Sequence, residues 1–200
     1  PWDSDKVGYR LATRGNGEIW AQYGATTNAN VVSKSSANTY VLNEWIYIVG
    51  VFKNGGYVKL YINGELIDYD TTDMLFNTSR DFEIGRFNNT VYDEDYNGSI
   101  NEVQIWNYVL AEEEIQNNMY SELSGNEEGL VGYWNFNEGS GTTVIDQTAN
   151  GNDGTIIGGA TYSTDVPISG CTDPYATNYD ETANVDDGSC SYPDNGDYSL

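Results

Sequence analysis

NEWIYIVGVFKNGGYVKLYINGELI, residues 43–67, places a long apolar run, a glycine turn, an alternating run and a tight turn in succession. EWIYIVGVF is apolar at nearly every position, which predicts a central strand covered on both faces. In GYVKLYING, Val58, Leu60 and Ile62 share one face of an extended chain. Asn63 and Gly64 then supply the positive φ angles of a type I′ turn into ELIDYD.

The same grammar extends outward. KVGYRLAT alternates Val7, Tyr9 and Leu11 with more polar neighbours, RGNG turns the chain and EIWAQY returns, a hairpin pattern. DFEIGRF and GSINEVQIWNYVL supply further short strands. Many short strands and little helix predict an all-β, antiparallel two-sheet sandwich. One helix is predicted in LAEEEIQNNMYSELSG, where Ile115, Met119 and Leu123 recur at helical spacing and Glu112, Glu113 and Glu114 fill the first turn, with an end near Gly125. These glutamates read as complements to the helix dipole.

Composition narrows the function. The 200 residues carry 8 Lys plus Arg against 31 Asp plus Glu, a formal net charge of -23. Such a surface disfavours nucleic acid and anionic membranes as partners, and bound cations, calcium foremost, would relieve its self-repulsion. No apolar run approaches a membrane-spanning length of roughly 18 residues. There is no His, so Ser/His/Asp and Cys/His catalysis are excluded and zinc is poorly served. Cys171 and Cys190, the two cysteines, read as a disulfide formed in an oxidising, extracellular compartment.

The 43–67 stretch, with FEIGRF and NGSINEVQIWNYVLAEEEI behind it, resembles the later strands of laminin-G-like, concanavalin A-like jelly-roll domains of secreted bacterial proteins. Trp45 opening a long strand, Lys59–Gly64 as a Lys-Leu-Tyr-x-Asn-Gly hairpin, Ile100–Trp106 and the acidic Glu112–Ile115 segment match in that order. EEGLVGYWNFNEGSGTTVIDQTANGNDGTIIGGATYSTDVP resembles the segment that closes such domains. The resemblance implies a sandwich over 1–167 whose first strands would lie before Pro1, so that 1–167 alone would expose unpaired sheet edges. Either a window cut from a tandem array or an N-terminal portion outside this chain accounts for that start. DNGDYSL, 194–200, is similar to the lead-in of a following domain.

The tail, 168–193, resembles a Cys-Thr-Asp-Pro, Asn-Tyr, Asp-Asp-Gly-Ser-Cys linker repeat of large Bacteroidetes-type surface proteins. Cys171, Thr172, Asp173, Pro174, Asn178, Tyr179, Asp186, Asp187, Gly188, Ser189 and Cys190 carry the match. It implies export to the cell surface, by the type IX route. Within the tail, Asn178, Asp180, Asn184 and Asp186 recur at even spacing, with Asp173 and Asp187 at the ends. Oxygens in this pattern suit calcium; a disordered acidic linker with an incidental disulfide is the alternative.

Three other places could carry chemistry. IDQTANGNDGT offers Asp146, Asn150 and Asn152, with Asp153, either to calcium or to an ion-free Asx-turn loop. NNTVYDEDYNGS offers Asn88, Asn89, Tyr92, Asp93, Glu94, Asp95 and Tyr96 as a recognition or cation site, or as a solvated acidic loop. Sequons at Asn77, Asn88 and Asn97 arise by chance in so Asn-rich a chain. Enzymes of the resembled fold carry a Glu-x-Asp-x-x-Glu strand, and INEVQIW keeps Glu102 alone, read as a sheet-edge carboxylate bonded to a neighbouring turn. For carbohydrate, Trp45, Trp106 and Trp134 are assigned to the core, while Trp2, Trp20 and Tyr23 are less obviously buried.

The expectation is thus a noncatalytic segment of a large secreted or cell-surface adhesin-like protein, binding glycans or a surface receptor. Its neighbours would be further domains of the same chain. The alternatives are a pure stalk, or a glycan-binding accessory module of a polysaccharide-degrading enzyme.

Overall fold

The computed structural model describes residues 8–24, 30–72, 81–88 and 93–193. β1 (Tyr9–Thr13), β2 (Ile19–Gly24) and β3 (Asn30–Lys34) form one antiparallel sheet in that order. β4 (Ile48–Lys53), β5 (Tyr57–Ile62) and β6 (Glu65–Thr71) form a second. A hairpin of β7 (Arg86–Asn88) and β8 (Asp93–Asp95) follows, then β9 (Val103–Trp106), α1 (Glu112–Asn118) and β10 (Leu130–Trp134), which pairs antiparallel with β9. The short pairs β11 (Thr143–Val144) with β12 (Gly154–Thr155), and β13 (Ser169–Gly170) with β14 (Val185–Asp186), complete the described chain.

Alternation in β5 organises the core. Val58, Leu60 and Ile62 meet Ile19 and Ala21 of β2, closing a sandwich between the two sheets. Ser33, fully buried in the same layer, is satisfied because its Oγ donates to the Val58 carbonyl at 2.8 Å. On the opposite face Tyr61 joins Val51, Leu110 and Ile115, flanked by Tyr47, Val49, Tyr57 and Trp106. One strand therefore serves two apolar clusters.

The turn after β5 fits its sequence. Asn63 and Gly64 have φ of 49° and 79°, as a type I′ turn requires. A Cβ on Gly64 would lie 3.0 Å from Gln116 Cγ, because α1 packs against this turn and Gln116 Nε2 donates to the Gly64 carbonyl at 3.3 Å.

Three expectations shift. β5, not β4, is the middle strand of the described sheet, although β4 is covered on both faces, by Ile48 and Phe52 on one and Val49 and Val51 on the other. The helix ends at Asn118 rather than near Gly125. Of its predicted stripe only Ile115 is fully buried, and two asparagines of weak helix propensity close it. Tyr9 and Leu11 do share the face of Ala21, but at the sheet edge, where they stay about 40% exposed.

Truncating the shared strand should be costly. Leu60→Ala is expected to lower unfolding free energy by about 2–5 kcal/mol in a denaturant titration, and Leu66→Ala, at a half-exposed position, by under about 1 kcal/mol. Equal losses would contradict this core.

Candidate functional site

The face of β5 that carries Tyr61 continues toward the start of the strand, where Tyr57 still flanks the Tyr61 cluster. Period two places Tyr57 and Lys59 there, and antiparallel register sets Lys53 opposite Tyr57 and Tyr69 opposite Lys59. The Tyr57 and Tyr69 ring centroids lie 5.7 Å apart with planes at 46°. Lys59 Nζ sits 5.0 Å from the Tyr57 centroid and 5.9 Å from that of Tyr69, and Lys53 Nζ lies 5.5 Å from Tyr57. Tyr69 is 48% exposed. The result is a half-exposed aromatic shelf carrying positive charge in a strongly acidic chain. Aromatic faces of this kind take the C–H faces of apolar or amphipathic rings, with polar groups at the margin fixing orientation.

Trp20 forms a second aromatic cluster, already occupied. The Arg14 guanidinium stands 4.1 Å from its ring centroid and Lys34 Nζ 5.9 Å, while Trp20 Nε1 donates to Glu18 Oε2 at 2.8 Å. The bond from Trp20, with smaller help from Asn16, Lys34 and Arg14, holds the Glu18 carboxyl below its ordinary range. Trp2 and the Tyr23 side chain lie outside the described residues. Of the three core tryptophans, Trp134 is buried, whereas Trp45 and Trp106 are half-buried.

The acidic loop expected as a recognition site is only partly described. Asn88 and Asp93 face each other in the β7–β8 hairpin, and Asn89 and Tyr92 lie outside the described residues. Asp95 is exposed and approaches Arg86 Nε at 3.9 Å. Tyr96 packs back on Gly98.

Glu102, just before β9, has a left-handed φ of 53° and accepts a hydrogen bond from the Tyr133 hydroxyl of β10 rather than from a turn. Burial pushes its carboxyl up, and nearby Glu122 adds to this against the bond from Tyr133. Because Tyr133 is fully buried, this contact braces two strands internally.

Asp146 is a structural knot. Its carboxylate accepts from the Tyr133 and Thr148 amides at 3.1 and 3.0 Å, the Thr148 hydroxyl at 2.9 Å and the Asn152 amide at 2.9 Å. Burial alone would raise this carboxyl, yet the donors from Thr148, Asn152 and Tyr133 outweigh it and hold it below its ordinary range. Asn150 and Asn152 turn their Nδ2 groups to the Val131 carbonyl, at 3.0 and 2.9 Å. The side chains thus fasten a loop to β10.

The tail is closed by the Cys171–Cys190 disulfide. Its six expected calcium ligands each hold a local turn or a neighbouring strand. Asp173 accepts from the Tyr175 amide and the Tyr192 hydroxyl, Asn178 from the Ser191 amide, and Asp180 from the Thr182 amide and hydroxyl. Asn184 accepts from the Ile168 amide, Asp186 from that of Gly188, and Asp187 from that of Ser189. Hydrogen bonds from Tyr192, Thr182 and Ser189 hold Asp173, Asp180 and Asp187 below the ordinary carboxylate range. Among the described residues no group of three or more His, Cys, Asp or Glu side chains gathers to hold a metal ion. Asp173, Asp180, Asp186 and Asp187 each accept from the amide two residues on, as Asx-type turns do, while Asn178 and Asn184 tie down residues 13 and 16 positions away.

The Tyr57–Tyr69 shelf escaped sequence reasoning. Its signal was available in the positions between Val58, Leu60 and Ile62, which needed a partner or a function of their own.

Two outcomes follow from these hydrogen bonds. Asp146→Ala should cost on the order of 3 kcal/mol by orphaning buried amides, with Asp165→Ala near neutral. Because the folded Asp146 is depressed, its contribution is complete above the unfolded value near ~3.9 and fades as pH falls through the lower folded value; an unchanged acid limb in Asp146→Ala would contradict this. In the full chain, protease resistance of 168–193 should survive chelator and fall on reduction, as a disulfide closing this loop contributes about 3 kcal/mol. A gain that appears only with calcium would show the carboxylates regrouping around an ion.

Comparison with known proteins places this geometry. A solved structure of a Bacteroides ovatus protein, proposed in its description to bind carbohydrate, superposes with a TM-score of 0.59 at 19% identity, covering 82% of this chain and 51% of that one. At that identity the likeness shows the fold. Chloroplast ribulose bisphosphate carboxylase/oxygenase activase of Spinacia oleracea is 55% identical over 40 residues, 20% of this chain and 8% of the relative. Activase 1 of Larrea tridentata is 60% identical over 42 residues, 20% of this chain and 9% of the relative. The chain spans less than a tenth of the length of these curated relatives. The Laminin_G_3 family model matches residues 2–116, more than half of the 200, from before β1 into α1. The chain belongs to the concanavalin A-like lectin/glucanases superfamily.

Proposed function

We propose that this chain is a noncatalytic, carbohydrate-binding segment of an extracellular, multidomain adhesin-like protein. The observation that carries the reading is the Tyr57–Tyr69 pair, two rings brought together by strand register with Tyr69 half-exposed. The superfamily contains lectins by its own description, and the Bacteroides ovatus structure is proposed to bind carbohydrate; both support the reading without assigning a sugar. Glu102 serves as a strand brace in it, with Tyr133 occupying the carboxylate.

The domain plan supported by these features is a sandwich over 1–167, a disulfide-closed connector over 168–193 and a lead-in over 194–200. The disulfide supports an oxidising, extracellular setting. Among the described residues no helix is long and apolar enough to cross a membrane.

Glycan-array binding followed by calorimetry on the full chain tests the reading. Tyr69→Ala is expected to weaken the sugars bound by about tenfold, the loss of one aromatic contact of about 1.4 kcal/mol, with no release of reducing ends from any polysaccharide. Hydrolysis abolished by Glu102→Gln would overturn the noncatalytic assignment.

A further inference from the structure

We infer that the Tyr57–Tyr69 shelf selects sugars bearing an anionic group, a uronate carboxylate or a sulfate ester; the inference rests on the carbohydrate-binding reading above. The chain has only 8 Lys plus Arg against 31 Asp plus Glu, so a lysine outside any ion pair calls for a cause. Among the described residues neither Lys53 nor Lys59 forms an ion pair or donates a hydrogen bond to a protein acceptor. Both ammonium groups instead rest over tyrosine rings, Lys59 within 6 Å of two of them.

That arrangement suits a charged sugar. A pyranose ring laid on the half-exposed Tyr69 keeps its apolar face on the aromatic surface and carries its ring substituents outward in its own plane, toward Tyr57, over which the Lys53 and Lys59 ammonium groups lie. An ammonium at an exposed ring is held weakly and moves aside readily, whereas its three N–H donors match carboxylate or sulfate oxygens in charge-assisted hydrogen bonds. The long-range field of an acidic protein opposes an anionic ligand, but at physiological salt it is screened beyond roughly 8 Å. The two nearby lysines therefore set the sign at the shelf. Trp20, the other aromatic with cations about it, offers less, because Arg14 covers its ring and Glu18 adds a negative charge.

Titration calorimetry of the full chain with three oligosaccharide series, neutral, uronate and sulfated, tests the inference. Tighter binding of either anionic series than of the neutral one, by about tenfold or more, supports it, and the series that binds names the group. Lys59→Gln should remove about tenfold of that preference and Lys53→Gln plus Lys59→Gln all of it. Lys34→Gln, the same charge lost at the Trp20 cluster, should leave it intact. Equal affinity for neutral sugar, a preference surviving the double variant, or equal damage from Lys34→Gln overturns the inference while leaving carbohydrate binding in place. Absence of binding to all three series, or sugar binding indifferent to Tyr69→Ala, overturns the carbohydrate reading itself.

Discussion

The double burial of β5 is the constraint on which the rest depends. Its even-numbered residues Val58, Leu60 and Ile62 close the sandwich against Ile19 and Ala21, while Tyr61 on the reverse face closes a second cluster with Ile115 and Leu110. A slip of one residue would carry Tyr57, Lys59 and Tyr61 into the sandwich and Val58 and Leu60 out of it, so register is fixed from both sides. The Asn63-Gly64 turn and the Gln116 bond to Gly64 pin one end of the strand. At the other end the reverse face carries Tyr57, which still flanks that cluster, and Lys59, opposite the half-exposed Tyr69. The shelf of Tyr57, Lys59 and Tyr69 is thus a consequence of the same alternation that builds the core.

The acidity has a comparable local explanation. Asp146, Asp173, Asp180, Asp186 and Asp187 each accept backbone amides at the loops they punctuate, and Asn178 and Asn184 do the same across longer spans of the tail. Carboxylates used this way satisfy donors that short strands and irregular loops would otherwise leave unpaired. A loop of few apolar residues can hold a shape on such bonds once a disulfide limits its unfolded ensemble. Tyr120 of the segment after α1 also reaches this module, its hydroxyl donating to the Asp186 carbonyl at 3.4 Å. Part of the negative charge is thus committed to turns.

Much of the fold was legible because it rests on local rules. The alternation of 57–62, the paired positive φ residues at 63 and 64 and the hairpin between Thr13 and Ile19 follow from nearest-neighbour chemistry, and the Cys171–Cys190 pairing from the chain having two cysteines. The order of strands in the second sheet was not legible, since an apolar run looks the same whether it lies centrally or is covered on both faces at a flank. The helix was overestimated for a related reason: Met119 and Leu123 keep helical spacing without being deeply buried, and spacing alone carries no energy. Whether the evenly spaced oxygens of the tail hold a cation was not legible either, because sequence periodicity cannot distinguish oxygens that converge from oxygens that each hold a separate backbone amide. The shelf depends on cross-strand register between Lys59 and Tyr69, ten residues apart across a bulge, which no single strand displays.

Mapping a bound sugar on the protein tests the central claim most directly. In amide chemical-shift titration of the full chain with an anionic oligosaccharide, the account predicts saturable shifts centred on Lys53, Tyr57, Lys59 and Tyr69, with those at Trp20, Asp95 and 171–190 unmoved. Shifts centred on Trp20 or on the β7–β8 hairpin, with β5 and β6 silent, would contradict it.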